Sequence, residues 1–480
     1  MVQSNVMHPR VTRWRSVASR GAGASGAVSL PGRLVAIHPA TLLGAVWLFA
    51  LGFWLIAPQS VIDESATGHR TESMRALAYF AACMVAFVLT AVVAGMVLGA
   101  GRRPRQEPAR TEDRRTGALR RAAAIISLTA IGGGALWFLR ASLLVGSPVA
   151  LLTEYTSAGS GVRLKDEVVN PAELAPFTTM VHLSAGAAAL LVYIRQTHGW
   201  RTTERLLFLG VVVVTILRAT LFAERLAAMA VVSAGVVAYV FCTPRLDAAR
   251  VLRWTLLAAA AFWLAWATGE FFRSWRDTRA PGESTAFTAG NFLSSWSYSS
   301  VRLGAYAYTA IDNGIIIVDQ WPTQVFPRET SPPLASAGFP NVGVDPPNLF
   351  DSTLDPQFTG TTLFGSFYMD AREFGIVLAA LFGLFFGLAW KAAALGSPPG
   401  IVLYAATVQV ILDSYRMNYL LNSPGLVAIG GAAVVFVMLH FPTPTERLRA
   451  AAIARTAGPR TAGLPPLSLA EPGIEAPRGP

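Results

Sequence analysis

Long apolar runs separated by short basic or polar stretches dominate this chain. A hydrocarbon core of about 30 Å is crossed by about 20 helical residues. Eight runs meet or approach that length: 40–58, 76–100, 122–145, 177–194, 254–269, 374–390, 401–412 and 426–441. The stretch 206–242 is apolar except for Arg218, Glu224 and Arg225, and its length alone suits one long helix or two short ones. Its flanks are both basic, with Arg195, Arg201 and Arg205 before it and Arg245, Arg250 and Arg253 after it. Basic flanks stay in the cytoplasm, so the chain must cross an even number of times between them. A tight hairpin turning near 218–225 follows.

The predicted fold is an all-α polytopic membrane protein of about ten transmembrane helices, with both termini cytoplasmic. One large extracytoplasmic loop separates spans seven and eight. The predicted divisions are a basic tail over 1–36, spans one to seven over 37–270, the loop over 271–373, spans eight to ten over 374–442, and a second tail over 443–480. Both tails are rich in small residues, proline or arginine and read as disordered. The first apolar run follows about 40 residues and is long enough to span, so it is expected to be a retained signal anchor. Within the loop, 291–313 lacks proline and spaces Tyr298, Arg302 and Tyr306 at i, i+4 and i+8, one face of a helix. Eight prolines between 322 and 356 exclude long regular structure there.

Composition narrows the class. With 53% hydrophobic and 14% charged residues the chain is too apolar for a soluble domain. Its net charge of +11 divides under this topology into +17 on inner segments and −6 on outer ones. The basic residues therefore read as topology determinants that also attract anionic lipid, and nucleic acid is not an expected partner. The two cysteines, Cys83 and Cys242, lie at different depths, and no metal-type spacing or cofactor motif occurs.

Arginine is scarce on outer faces, so the outer arginines draw attention. Arg218 and Arg225 are seven apart and share a face if the turn is helical. Two readings stand for them: a forked, permanently charged pair that grips a diphosphate, or a bridge to Glu224 that closes the hairpin. Glu270, Arg273 and Arg276 cluster at the outer end of span seven, and Arg372 with Glu373 repeats the theme where span eight begins. Arg416, beside Tyr415 in a very short outer turn, completes the set. The loop holds no histidine, so a proton acceptor there would be a carboxylate: Glu270, Asp312 or Glu373.

Four segments in this order resemble a known family. The run 217–226 (LRATLFAERL) is similar to the hairpin of bacterial oligosaccharide repeat-unit polymerases, the O-antigen polymerase-like, Wzy-type membrane proteins. The run 269–275 (GEFFRSW) resembles the start of their large outer loop. The run 302–314 (RLGAYAYTAIDNG) resembles a stretch within it, with Asp312 in place of one asparagine. The run 368–375 (YMDAREFG) resembles the approach to the following helix, loosened by extra residues.

The resemblance implies glycosyl transfer on the outer face of the bacterial inner membrane. A polyprenyl-diphosphate-linked oligosaccharide is the expected substrate, and a chain-length regulator and a flippase are the expected partners. No cofactor or metal is expected, and the lack of a histidine in the loop disfavours zinc there. Arg218, Arg225, Arg273, Arg302 and Arg416 would converge around the diphosphate, with Tyr298 and Tyr306 as stacking surfaces and Glu224, Arg276, Arg372 and Tyr415 as further substrate-site residues. Rival classes are an O-antigen ligase-like enzyme, a glycosyltransferase using a monosaccharide phosphopolyprenol, and a non-enzymatic transporter or flippase. The acidic pair Asp63–Glu64 would serve the phosphopolyprenol enzyme, while the scarcity of mid-membrane charge counts against the transporter.

Overall fold

The computed structural model describes residues 27–28, 34–63, 70–97, 109–156, 175–221, 225–243, 246–247, 253, 289–321 and 360–441. Within them the chain is helical, apart from a two-residue antiparallel pairing of Ala27–Val28 with Leu246–Asp247. The tenfold apolar pattern is matched in part. Among the described residues six helical stretches are long and apolar enough to cross a membrane: Pro39–Ile56, Met74–Met96, Asp113–Val145, Phe177–His198, Leu363–Ala394 and Ser423–His440. The protein is an all-helical, multi-pass membrane protein. The seventh expected span, 254–269, lies outside the described residues.

Helix α1 (Pro39–Ile56) starts where proline supplies its first turn and His38 Nδ1 accepts from the Ala40 amide at 3.2 Å. A short turn, α2 (Gln59–Ile62), follows, and then α3 (Met74–Val97). Helix α4 (Ala109–Val145) begins well before the apolar run it contains, because its charged first turns are helical too. Arg120 in that extension meets Glu204 at 2.7 Å, a nearly buried ion pair. After α5 (Pro148–Thr156), the fourth apolar run is divided at His182 into α6 (Ala175–Val181) and α7 (Leu183–His198). The ambiguous stretch 206–242 forms two helices, α8 (Thr202–Leu221) and α9 (Arg225–Cys242).

Helix α10 (Ala289–Gln320) extends the proline-free stretch by about two turns at its carboxyl end, through the apolar run Ile315–Val318. From Ala305 to Val318 every side chain is buried except that of Tyr306, which is partly so. It packs on α1, α2 and α3 and on the nine-residue α11 (Leu363–Ala371). A single 3₁₀ turn, Arg372–Phe374, then leads into α12 (Gly375–Ala394), followed by α13 (Pro398–Leu412) and α14 (Ser423–His440).

The tightest packing joins α3 and α12, which run parallel. Gly375, Gly383 and Gly387 meet Tyr79, Phe87 and Ala91, in matching steps of eight and four. A Cβ on Gly383 would lie 2.2 Å from the Phe87 carbonyl oxygen, and one on Gly387 2.5 Å from that of Ala91. Only glycine allows this approach, the small-residue geometry that joins helices where lipid removes the hydrophobic drive. Thr90 Oγ1 uses it to donate to the Ala380 carbonyl at 2.8 Å. The outward faces of both helices are apolar: Val85, Leu89 and Val93 on α3, and Val377, Leu381 and Leu384 on α12, all exposed. Inward, Trp47 stacks on Phe364 at 4.5 Å, tying α11 to α1 in the main core.

Candidate functional site

One end of the bundle gathers its polar side chains. There α1 ends, α3 begins, α11 is bracketed, and α13 hands over to α14 through the turn 413–422. Asp413 caps α13, with its amide donating to Gln409, and the Arg416 amide donates back to the Asp413 carbonyl at 2.9 Å. This doubles the chain over and carries the Arg416 side chain back towards Asp413. Arg416 Nη2 donates to Asp413 Oδ2 at 3.4 Å and to the Tyr419 hydroxyl at 2.9 Å, while the guanidinium lies 6.0 Å from the Tyr306 ring. Its Nε is buried without a hydrogen-bond partner among the described residues.

Burial opposes the charge of Arg416. Asp413, Tyr419 and Tyr415 outweigh that, so its pKa is raised and the cation persists at every accessible pH. Burial also pushes the Asp413 carboxyl up, against the pull of Arg416. Tyr415 is pushed up to about 12, chiefly by burial, and stays a neutral phenol. The turn itself is pinned by backbone: the Thr362 amide donates to the Arg416 carbonyl at 3.0 Å and the Leu363 amide to that of Ser414 at 2.7 Å. Trp47 Nε1 donates to Ser414 Oγ at 2.9 Å.

Arg218, near the end of α8, is buried and donates through Nη1 to the Thr178 carbonyl at 2.9 Å, in the last turn of α6. It stands within electrostatic reach of His182. His182 lines a cavity of ≈30 Å³ together with Ala185, Ala227, Gln409, Tyr419 and Gly425. Gln409 Oε1 accepts from Ser233 Oγ at 3.2 Å, while its Nε2 is buried with no partner among the described residues. His182, within electrostatic reach of Arg218, and Tyr419, bonded to Arg416, both line this cavity.

The candidate carboxylates differ in setting. Asp312 is 2% exposed and accepts from the Thr71 amide at 2.9 Å, from Thr71 Oγ1 at 3.1 Å and from Trp54 Nε1 at 3.4 Å. One turn pair later, Asp319 accepts from Ser73 Oγ at 3.1 Å, so α10 holds the segment 70–73 with two acidic residues seven apart. Arg70 lies 5.3 Å over the Trp54 ring beside Asp312 and Tyr308. Burial and Asp312 push the Tyr308 phenol up to about 12 against the opposing pull of Arg70. Glu373 is exposed and pairs with Arg75 at 3.0 Å, and Arg372 Nη1 donates to the Tyr368 hydroxyl at 3.3 Å.

Of the residues expected from sequence, the structure brings Arg416, Tyr415 and Tyr306 together, while Arg218 sits near the end of α8 beside Thr178 and His182. Asp312, Arg372 and Glu373 lie at the same end of the bundle. Glu224, Glu270, Arg273 and Arg276 lie outside the described residues. Arg225, Tyr298 and Arg302 fall on helical backbone, with their side chains outside the description. Sequence reasoning missed Arg70, Arg75, His182 and Gln409. Arg70 and Arg75 carried the same signal as the other outer arginines, whereas His182 and Gln409 carried only that of polar groups within apolar runs. Among the described residues no group of three or more histidine, cysteine or acidic side chains is placed to hold a metal ion.

No family model matches the chain, no curated protein matches its sequence, and no solved structure matches its fold.

Proposed function

We propose that the protein is a membrane glycosyltransferase that polymerises polyprenyl-diphosphate-linked oligosaccharide units on the outer face of the bacterial cytoplasmic membrane. In this reading ten helices span the bilayer and both termini are cytoplasmic. The observation that carries it is Arg416: a buried guanidinium whose Nε has no hydrogen-bond partner among the described residues, held by Asp413 and Tyr419 with the Tyr306 ring 6.0 Å away.

The chemistry asks for what those residues offer. Displacing a saccharide from a polyprenyl diphosphate builds negative charge on the leaving oxygen as the glycosidic bond breaks. A guanidinium fixed beforehand stabilises that charge without having to move, and its fork suits phosphate oxygens. Asp413 and Tyr419 hold one nitrogen of the fork and so set its direction. Tyr306 offers a ring face that a sugar can stack against. The attacking hydroxyl loses its proton to a carboxylate. Asp312, sealed by three donors, suits an anchoring role better than Glu270 or Glu373.

The test is chain extension by purified protein in liposomes loaded with lipid-linked oligosaccharide. Wild-type protein is expected to build a ladder of lengths. Arg416→Gln should slow it by about 10²–10³-fold, the loss typical of removing one charge-stabilising donor. Arg218→Gln should slow it too. A full-rate ladder from Arg416→Gln, or uptake of the oligosaccharide with no change in length, would sink the reading.

A further inference from the structure

Where α11 gives way to the 3₁₀ turn before α12, two guanidinium groups share one phenol. Arg75 Nη2 donates to the Tyr368 hydroxyl at 2.5 Å, and Arg372 Nη1 donates to the same oxygen at 3.3 Å. Both cations also stand over the Tyr368 ring, 5.7 and 5.3 Å from its centroid. Like charges gathered this closely repel unless something anionic lies between them. Among the described residues the carboxylate in contact with them is Glu373, paired with Arg75 alone, so the group of three carries a formal +1. The contacts named here use few of the five N–H donors on each guanidinium. Arg372 is held there in the left-handed region, at φ 54°, a strain of about 1–3 kcal/mol for a non-glycine residue.

The surroundings identify the ligand. Met74 and Phe374, 82% and 74% exposed, flank the arginines and begin the two outward apolar stripes of α3 and α12. Those stripes continue through Val85, Leu89 and Val93 and through Val377, Leu381 and Leu384. Hydrocarbon chains fit along such stripes, which places the polar head of the same molecule at the guanidinium pair.

We infer that Arg75 and Arg372 bind the phosphodiester of an anionic membrane phospholipid whose acyl chains lie along α3 and α12. Two forks around one phosphate give charge-assisted hydrogen bonds, and Tyr368 holds both forks in place. The inference does not rest on the glycosyltransferase reading, because it uses neither Arg416 nor Arg218, and it takes Arg372 out of the substrate site that the resemblance implied. A lipid-linked diphosphate offers similar chemistry, so the experiment must separate the two sources.

Native mass spectrometry of the protein titrated with phosphatidylglycerol, phosphatidylcholine, glycerol 1-phosphate and polyprenyl diphosphate does so. Phosphatidylglycerol should bind tightest of the first three, and glycerol 1-phosphate, lacking chains, should barely bind. Arg75→Gln and Arg372→Gln should each weaken phosphatidylglycerol about fivefold, in line with the contribution of one interfacial arginine. Should those variants fail to fold, Glu373→Gln provides the opposite check: removing the competing carboxylate should tighten phosphatidylglycerol severalfold. Equal binding of phosphatidylcholine and phosphatidylglycerol, or no tightening in Glu373→Gln, overturns the inference. One-for-one displacement of phosphatidylglycerol by polyprenyl diphosphate, with both weakened by Arg372→Gln, overturns it as well and assigns the pair to the lipid carrier.

Discussion

Replacing Gly383 or Gly387 with alanine tests the packing that holds the two ends of the bundle in register. Ordinary carbon contacts begin at 3.4 Å, so the new methyl of Gly383→Ala falls 1.2 Å short against the Phe87 carbonyl, and that of Gly387→Ala 0.9 Å short against Ala91. The obstacle is backbone in both cases, so no rotamer change relieves it and α3 and α12 must separate by most of an ångström. Overpacking of this kind costs about 1–3 kcal/mol. At Gly383 the Thr90 side chain, 2.3 Å from the new methyl, would also surrender its hydrogen bond to Ala380, worth about 0.6 kcal/mol in a membrane interior. Alanine returns about 1 kcal/mol of helix propensity, leaving a net loss of about 0.6–2.6 kcal/mol at Gly383 and about 0–2 kcal/mol at Gly387, against a gain of about 1 kcal/mol where the site is open. Gly44 and Gly52 on α1 have nothing within 4 Å of the position a Cβ would take, so their alanine variants should be neutral or stabilised. Reversible unfolding in mixed micelles, followed by tryptophan fluorescence, measures all four. Gly383→Ala and Gly387→Ala as stable as Gly44→Ala would refute the parallel α3–α12 contact.

Three further outcomes follow from the same physics. Asp312→Asn turns one acceptor oxygen into a donor facing Thr71, so it should lower stability by about 1–3 kcal/mol; turnover per folded molecule should stay within about threefold if Asp312 only anchors. Burial holds the His38 imidazole below its usual range, and its Nδ1 must be bare to accept from Ala40. This contribution to stability is therefore complete above the unfolded value of about 6.5 and declines as the pH falls below it; Tm measured from pH 8 to 5.5 should drop less in His38→Asn. Glu204→Gln strands Arg120 in a nearly buried site and should cost about 3–5 kcal/mol in thermal unfolding, with the activity of the folded fraction preserved, because the pair lies at the opposite end from Arg416.

The spans were legible because hydropathy over a bilayer's width is a long-range signal: the helices Pro39–Ile56, Met74–Val97 and Ser423–His440 start and stop within about three residues of the apolar runs. The division of 206–242 into two helices followed from arginines on both flanks. The burial of α10 did not, since Asp312 and Asn313 made its sequence look polar, and the donors that satisfy Asp312 come from Trp54 and Thr71, more than 240 positions away. Arg416 stood out from its aromatic neighbours alone. Its meeting with Tyr306 depends on how α10 packs against the turn after α13, which no local spacing encodes. Tyr368 draws Arg75 to Arg372 in the same way, from 293 positions away.

Equilibrium binding of polyprenyl diphosphate to the protein in phosphatidylcholine nanodiscs, set beside polyprenyl monophosphate, tests the central claim most directly. The account predicts that wild-type protein favours the diphosphate and that Arg416→Gln weakens it by about 10–100-fold, the worth of one charged hydrogen-bonding group. Arg75→Gln should leave that affinity unchanged. Equal affinity of wild type and Arg416→Gln for the diphosphate would contradict the account.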